Sequence, residues 1–310
     1  MTFIRATRPN IYSGMPLDRL DHRRSEETLI EFSLAKGDAR VLLLWRSRHL
    51  VTVDQRPLWV DRRLAEKYFA EGHQTVFLGQ DETGARLAID LSILDPDRLA
   101  QDVAPEAQFQ DLRQIAPLLP DPEGATLAYA RALMIWHQRH RFCGLCGGLT
   151  ISRRAGHVRV CRSPDCGAQH FPRTDPAVIM LVHDGADSCL LGRQKNWPAG
   201  RHSTLAGFVE PGESLEEAVA REIYEEVGLT IPVSEVHYHS SQPWPFPSSI
   251  MLGFIARAER AALTICEEEL DSAAWFTKDQ LLNSPEDETF GLPSGDSIAR
   301  RLIEDWLASL

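Results

Sequence analysis

The sequence predicts an α+β protein in three parts, residues 1–138, 139–172 and 173–310. Three observations predict it. Two long stretches mix apolar runs of strand length with apolar residues at helical spacing. A short glycine-rich segment with four cysteines divides them. The 310 residues are 43% hydrophobic and 25% charged, enough for more than one core and without the mark of global disorder.

In the first part, "ARVLLLWRSRHLVTV" contains an apolar run suited to a buried strand. "QTVFLGQDETGARLAIDLS" reads as strand, turn, strand, with Asp81 to Gly84 as the turn. "APEAQFQDLRQIAPLL" and "GATLAYARALMIWHQRH" read as helices. In the second, Leu127, Ala130, Arg131, Met134 and Ile135 recur at i, i+3, i+4 and turn one flank towards a core. No catalytic constellation precedes residue 139, so packing or dimerisation is the expected role. In the third part, "AVIMLV" and "SCLLGRQ" are paired strands across "HDGAD", and "IMLGFIARA" is another strand. "SIARRLIEDWLASL" is an amphipathic helix. No internal repeat is visible.

The net charge of -11 argues against broad electrostatic capture of nucleic acid, though not against one local nucleotide pocket. "MTFIRATRPN" has no apolar core of signal-peptide length, and the terminal "ASL" lacks the basic residue of a peroxisomal address. No run approaches ~18 apolar residues, so no membrane span is expected. The expected compartment is the cytoplasm.

Cys143, Cys146, Cys161 and Cys166 form the pattern C-x2-C, fourteen residues, C-x4-C. Two such knuckles brought together by a hairpin suit tetrahedral Zn²⁺. Two disulfides or free buried thiols are the other readings, and nothing indicates the export that disulfides need. With cysteine at every position no site is left for water. The metal is therefore expected to be structural, contributing roughly 10–16 kcal/mol to folding. Cys189 and Cys266 read as core cysteines.

The most informative stretch is "GFVEPGESLEEAVAREIYEEVGL", residues 207–229. Ser214 and Glu217 make a capping box, and Gly228 a helix stop. Between them Leu215, Val219, Ile223 and Val227 should pack inward. Glu222, Glu225 and Glu226 then share one face. A solvated acidic face is the plain reading. Against it, the carboxylates sit at the negative end of the helix dipole and repel one another. Clustered hard oxygens suit Mg²⁺ or Mn²⁺ bridging to phosphate.

This stretch resembles the Nudix box, G-x5-E-x7-R-E-U-x-E-E-x-G-U. The match covers Gly207, Glu213, Arg221, Glu222, Ile223, Glu225, Glu226, Gly228 and Leu229. The resemblance implies the Nudix α/β/α sandwich and divalent-metal hydrolysis of a nucleoside diphosphate linked to another moiety. It makes Glu222 and Glu226 metal ligands with Glu225 close by, and Glu225 or Glu226 the general base. Arg221 paired with Glu213, beside Gly207, would hold the carboxylates in place.

A second motif, "SQPWPFPSS" at 241–249, holds a Trp and a Phe on a proline frame that can be neither helix nor central strand. A rigid surface loop and a ligand for a proline-reading domain are plain readings. The motif resembles the S-Q-P-W-P-F-P-x-S signature of the NADH pyrophosphatase group of Nudix hydrolases. That group also has a four-cysteine ribbon and an extra N-terminal domain, in this order. The resemblance implies substrate contacts at Gln242, Pro243, Trp244, Pro245, Phe246, Pro247, Ser248 and Ser249. It adds Arg113, Phe171, Phe208 and Ala299 as substrate contacts, and the Ala206 carbonyl and Glu269 as metal ligands. Glu267 and Glu268 leave that last register open. Phe171 would come from a partner subunit, which implies a homodimer.

The expected reaction is hydrolysis of NAD(H) to nicotinamide mononucleotide and AMP. Removal of an NAD cap from the 5′ end of RNA cleaves the same bond. A reading in another class is a zinc-ribbon nucleic-acid-binding protein with an inactive Nudix domain. Two positions depart from the group. The second cysteine pair is C-x4-C where some members have C-x2-C, and Gly156 falls where some members place a substrate-facing acidic residue.

Overall fold

The computed structural model describes residues 4, 6–103, 105–119 and 121–309. Their contacts divide into two units: Tyr12–Thr174 with Trp244–Ser248, and Met1–Ile11 with Asp175–Pro243 and Ser249–Leu310. Among the described residues, no helix is long and apolar enough to cross a membrane.

The unit that begins at Tyr12 contains a six-stranded sheet. Its strands are β1 (Arg40–Trp45), β2 (Arg48–Val51), β3 (Trp59–Val60), β4 (Gln74–Asp81), β5 (Gly84–Asp90) and β6 (Gln108–Gln110). The order is β4-β5-β1-β2-β6, with β3 also paired to β1. The run "ARVLLLWRSRHLVTV" is thus a hairpin of two strands. Helices α1 (Leu29–Ala35) and α2 (Arg62–Ala70) bury Leu29, Leu34, Ala65 and Tyr68 against Val41, Leu43, Phe77, Leu87 and Ile89. Two short helices, α3 (Pro96–Asp102) and α4 (Leu112–Ile115), flank β6. The nineteen-residue helix α5 (Asp121–Arg139) packs on β1 and β4. Its Leu127, Ala130 and Met134 are fully buried, as their spacing predicts.

The helix expected over "APEAQFQDLRQIAPLL" is corrected. Gln108–Gln110 pair with β2, and the helix starts only at Leu112, where the Asp111 side chain accepts from the Arg113 amide. A side-chain cap and a distant strand outweigh local helical spacing.

The ribbon lies in the same unit as an antiparallel sheet of β7 (Thr150–Arg153), β8 (Val158–Cys161) and β9 (Gln169–His170). Gly156, at the hairpin, has φ 95°, and a Cβ there would stand 2.4 Å from a Val76 methyl. No acidic side chain fits that position.

The other unit is built on β10 (Asp175–His183), β11 (Ser188–Arg193), β12 (Leu205–Phe208), β13 (Val236–Trp244), β14 (Ser249–Arg257) and β15 (Ser272–Thr277). The order is β13-β14-β10-β11-β15, with β12 also on β10. β10 is buried on both faces, which its unbroken apolar run requires. Val178, Met180 and Val182 face α6 (Leu215–Val227), while Ile179 and Leu181 face α8 (Ile298–Leu307). The short α7 (Lys278–Leu282) adds Leu281 to the second core. The result is a sheet between helical layers, the α/β/α sandwich. Pro243 is tolerated because β13 is an edge strand.

The two six-stranded sheets share one topology. Each has a central strand with a parallel neighbour, an antiparallel hairpin partner and a short third partner. The sequence shows no repeat, yet the backbone repeats.

Candidate active site

Helix α6 is fixed at both ends by its own residues. Ser214 and Glu217 form the reciprocal capping box, and Gly228 closes the helix at φ 74°. Val219, Ile223 and Val227 are fully buried. This inward face sets the rotation of the helix and carries Glu222 and Glu226 with it into burial.

One carboxylate oxygen from each of Glu222, Glu226 and Glu269 lies within 4.8 Å of the others. Of Glu267, Glu268 and Glu269, it is Glu269 whose carboxylate joins Glu222 and Glu226. Gly207 of β12 makes the group possible: a Cβ there would lie 1.9 Å from the Glu222 carboxyl carbon. Burial raises Glu226 to about 8, with the charges of Glu222 and Glu269 adding to it, while the Ala206 amide donates back. Burial likewise raises Glu222. Glu226 Oε2 is buried and has no hydrogen-bond partner among the described residues. Hard oxygens, mutual repulsion and an unpartnered buried oxygen fit a divalent cation.

Arg221 braces this group. Its guanidinium donates to Glu213 at 2.6 and 3.0 Å, to Glu222 at 2.7 Å, to Glu225 at 2.9 Å and to the Phe208 carbonyl at 2.9 Å. The bond from Arg221 holds Glu213 below the ordinary carboxylate range. Glu225 does not join the three-carboxylate group. It is exposed, with one oxygen held by Arg221. Phe208 is 63% exposed at the end of β12.

The four ribbon cysteines place their Sγ atoms within 4.8 Å of one another, and none is disulfide-bonded. The amides of Leu145, Gly148 and Ser163 each approach a cysteine sulfur at 3.4 Å. Backbone donors at Cys146 and Leu145 hold the Cys143 thiol down at about 6. A tetrahedral soft site stabilised by amides fits zinc. His170 Nε2, 3.2 Å from Cys143 Sγ, is a neighbour the spacing did not reveal.

The residues of "SQPWPFPSS" divide. Gln242 is fully buried; its amide donates to the Ile11 and Asp296 carbonyls and accepts from the Ile298 amide. Ser249 opens β14 opposite Asp175, and Ala299 is buried in the core under α8. Pro243 is half-buried in β13. Trp244, Phe246, Pro247 and Ser248 are half-buried, and Pro245 is buried. The Phe246–Pro247 peptide is cis.

Phe246 has the Arg113 guanidinium 4.3 Å and the Arg131 guanidinium 5.2 Å from its ring centre. Trp244 and Tyr12 meet it edge-on at 5.2 and 5.9 Å. Arg131 also donates to the Pro245 carbonyl at 3.0 Å and to the Ser47 carbonyl, and lies 3.8 Å from Asp111. On spacing alone Arg131 belongs to the inward flank of α5. Its signal was an arginine inside the apolar stripe of α5. Phe171, in the ribbon's unit, is 58% exposed.

Three family models match in succession. They are an NADH pyrophosphatase-like rudimentary NUDIX domain over residues 38–136, an NADH pyrophosphatase zinc ribbon domain over 138–171, and a NUDIX domain over 173–294. A Mycobacterium bovis protein named NAD-capped RNA hydrolase NudC is 40% identical over 96% of this chain and 95% of its own. The chain belongs to the NADH pyrophosphatase group of Nudix hydrolases. The human NAD-capped RNA hydrolase NUDT12 is 40% identical over 61% of this Nudix chain and 43% of its own length. A NUDIX hydrolase structure from Nitrosomonas europaea covers 45% of this chain and 78% of its own, at 22% identity and a TM-score of 0.36.

Proposed function

We propose that the chain is a divalent-metal-dependent diphosphatase of NAD(H), releasing nicotinamide mononucleotide and AMP. The observation that carries this reading is the convergence of buried Glu222 and Glu226 with exposed Glu269, with one buried Glu226 oxygen unpartnered among the described residues. These three side chains, with the Ala206 carbonyl, would hold Mg²⁺ or Mn²⁺. That cation supplies positive charge against the diphosphate oxygens and acidifies water. Arg221 keeps Glu222 and Glu225 oriented. Glu225 accepts the proton of the attacking water at its exposed oxygen. The water oxygen bonds to one phosphorus, the bridging P–O bond breaks, and the bridging oxygen leaves with the other nucleotide.

The braced segment Trp244–Ser248, with Arg113, contributes ligand contacts at low entropic cost because its geometry is set before binding. Phe208 and a partner subunit's Phe171 offer exposed rings to the nicotinamide, which makes a homodimer part of the reading. Three parts, 1–138, 139–172 and 173–310, remain the proposed division. The cytoplasm is the proposed compartment, in keeping with six cysteines free of disulfides.

Removal of an NAD cap from RNA is the second reading, favoured by the names of the relatives. The intact carboxylate group counts against an inactive Nudix domain. Product analysis with NADH, ADP-ribose and a dinucleoside polyphosphate, each with and without Mg²⁺ or Mn²⁺, tests the proposal. Metal-dependent release of nicotinamide mononucleotide and AMP from NADH is expected. No cleavage of NADH under any of these conditions would sink it.

A further inference from the structure

Residues 7–12 are tied, one after another, to α8 and to the stretch that carries the proline-framed motif. Thr7 Oγ1 donates to Asp305 Oδ1 at 2.8 Å, and the Arg8 carbonyl accepts from Arg301, one turn earlier on α8, at 3.3 Å. Asn10 is buried, and its amide donates to the Ser240 hydroxyl at 3.0 Å and to the Ser241 carbonyl at 2.9 Å. The Ile11 carbonyl accepts from Gln242 at 3.2 Å. The Tyr12 ring then meets the Trp244 ring at 6.3 Å and the Phe246 ring at 5.9 Å. Positions 10, 11 and 12 thus meet 240–241, 242 and 244–246 in the same order.

Tyr12, Trp244 and Phe246 stand steeply across one another, with interplanar angles of 74°, 69° and 75°. Edge-to-face packing of three rings fixes each against the other two, because none turns without striking a neighbour. Burial separates their roles. Tyr12 is 2% exposed, whereas Trp244 and Phe246 each keep part of their surface open. Tyr12 therefore cannot touch a ligand and acts only through the two rings in front of it. Its backbone has φ 69°, a left-handed conformation that is costly for a bulky residue. Glycine would adopt it freely, so the ring, and not the turn, accounts for a tyrosine here.

We propose that residues 10–12 position the ligand clamp and that Tyr12 is its positioning residue, setting the angle of Trp244 and Phe246 from behind. NADH as the ligand rests on the diphosphatase reading; the bracing does not. Rings held in place before binding lose little freedom when the ligand arrives, so the benefit falls on KM rather than on the chemical step.

The test compares wild type with Tyr12→Gly, which deletes the ring and relieves the left-handed backbone, and with Tyr12→Phe, which keeps the ring. Asn10→Ala removes the preceding anchor with less disturbance and serves if Tyr12→Gly does not fold. Bound zinc and a cooperative thermal transition report folding. KM for NADH should rise about tenfold in Tyr12→Gly and about threefold in Asn10→Ala, with kcat within about twofold of wild type. Tyr12→Phe should hold KM within about twofold of wild type. Hydrogen exchange at the Trp244, Phe246 and Ser248 amides needs no substrate. It should quicken roughly tenfold in Tyr12→Gly and stay at the wild-type rate across α6.

A loss confined to kcat, an unchanged KM in the folded variants, or a Tyr12→Phe enzyme as impaired as Tyr12→Gly would overturn the proposal. So would exchange that is unchanged over 244–248, or that quickens equally throughout the chain, the mark of a merely structural tyrosine. Failure of the wild type to cleave NADH would strike the diphosphatase reading, and the exchange result alone would then decide the positioning role.

Discussion

The two six-stranded sheets are the same drawing with different chemistry. In each, a short strand on the central strand leads into a helix, β3 into α2 and β12 into α6. Both helices run into a glycine with positive φ, Gly72 at 82° and Gly228 at 74°. At the short strand, Val60 pairs with Val41 on the face towards α2, where Gly207 pairs with Val178 on the face towards α6. The glycine leaves room for a carboxylate, whereas Val60 joins the apolar core beneath α2. Around α2 lies a groove of about 690 Å³ lined by Trp59, Arg63, Lys67 and Asp102, with Lys67 and Asp102 paired at 2.5 Å. Among the described residues, no metal-ligating group forms on α2. Topology supplies the stage, and a few side chains decide whether chemistry happens on it.

The sharpest contrast comes from the helices themselves. Glu226→Gln should cut NADH turnover on the order of a thousandfold or more with the fold intact. Lys67→Gln on α2 should leave steady-state turnover unchanged. An active Glu226→Gln enzyme would break the distinction between the two sheets.

Next in size is Gly207→Ala. The added methyl displaces the Glu222 carboxylate, so kcat/KM should fall about a hundredfold as ligand geometry is lost. Gly72→Ala meets no atom within 4 Å and should cost only stability, about 1–2 kcal/mol for left-handed backbone, read by denaturant unfolding.

The metal-free protein also carries a pH signature. Glu226 rises from 4.5 to about 8 on folding, so the native state binds that proton more tightly than the unfolded chain. The stabilisation is complete below about pH 4.5 and is lost as pH rises through about 8. With Mg²⁺ and Mn²⁺ dialysed away and zinc retained, Tm should fall over this window. Glu226→Gln should flatten the profile, and saturating Mg²⁺ should reverse the fall. An identical decline in the variant would contradict the assignment.

The smallest effect is expected away from the carboxylates. Arg131→Ala releases the Pro245 carbonyl and one face of Phe246, so KM for NADH should rise about tenfold with kcat little changed. Equal loss in kcat would indicate a different role for that arginine.

What could be read from the sequence was local. Ser214, Glu217 and Gly228 cap α6 from within a few residues, so its ends and its acidic face were legible. The cysteine spacing likewise encodes its knuckles. Long-range pairings escaped. Gln108–Gln110 read as helix from their neighbours alone, because their β2 partner lies more than fifty residues earlier. Gln242, in a motif whose resemblance implies ligand contact, spends its amide on Ile11 and Ile298, far away in the chain. The reason Gly207 must be glycine is a carboxylate fifteen residues on. The repeated sheet stayed hidden because shared strand order needs only shared apolar periodicity, not shared residues.

The central claim is that Glu222, Glu226 and Glu269 hold one divalent cation for the reaction. Electron paramagnetic resonance titration of zinc-loaded protein with Mn²⁺, wild type against Glu226→Gln, tests it most directly. The account predicts saturable Mn²⁺ binding that the variant loses. Equal Mn²⁺ binding by both proteins would contradict it.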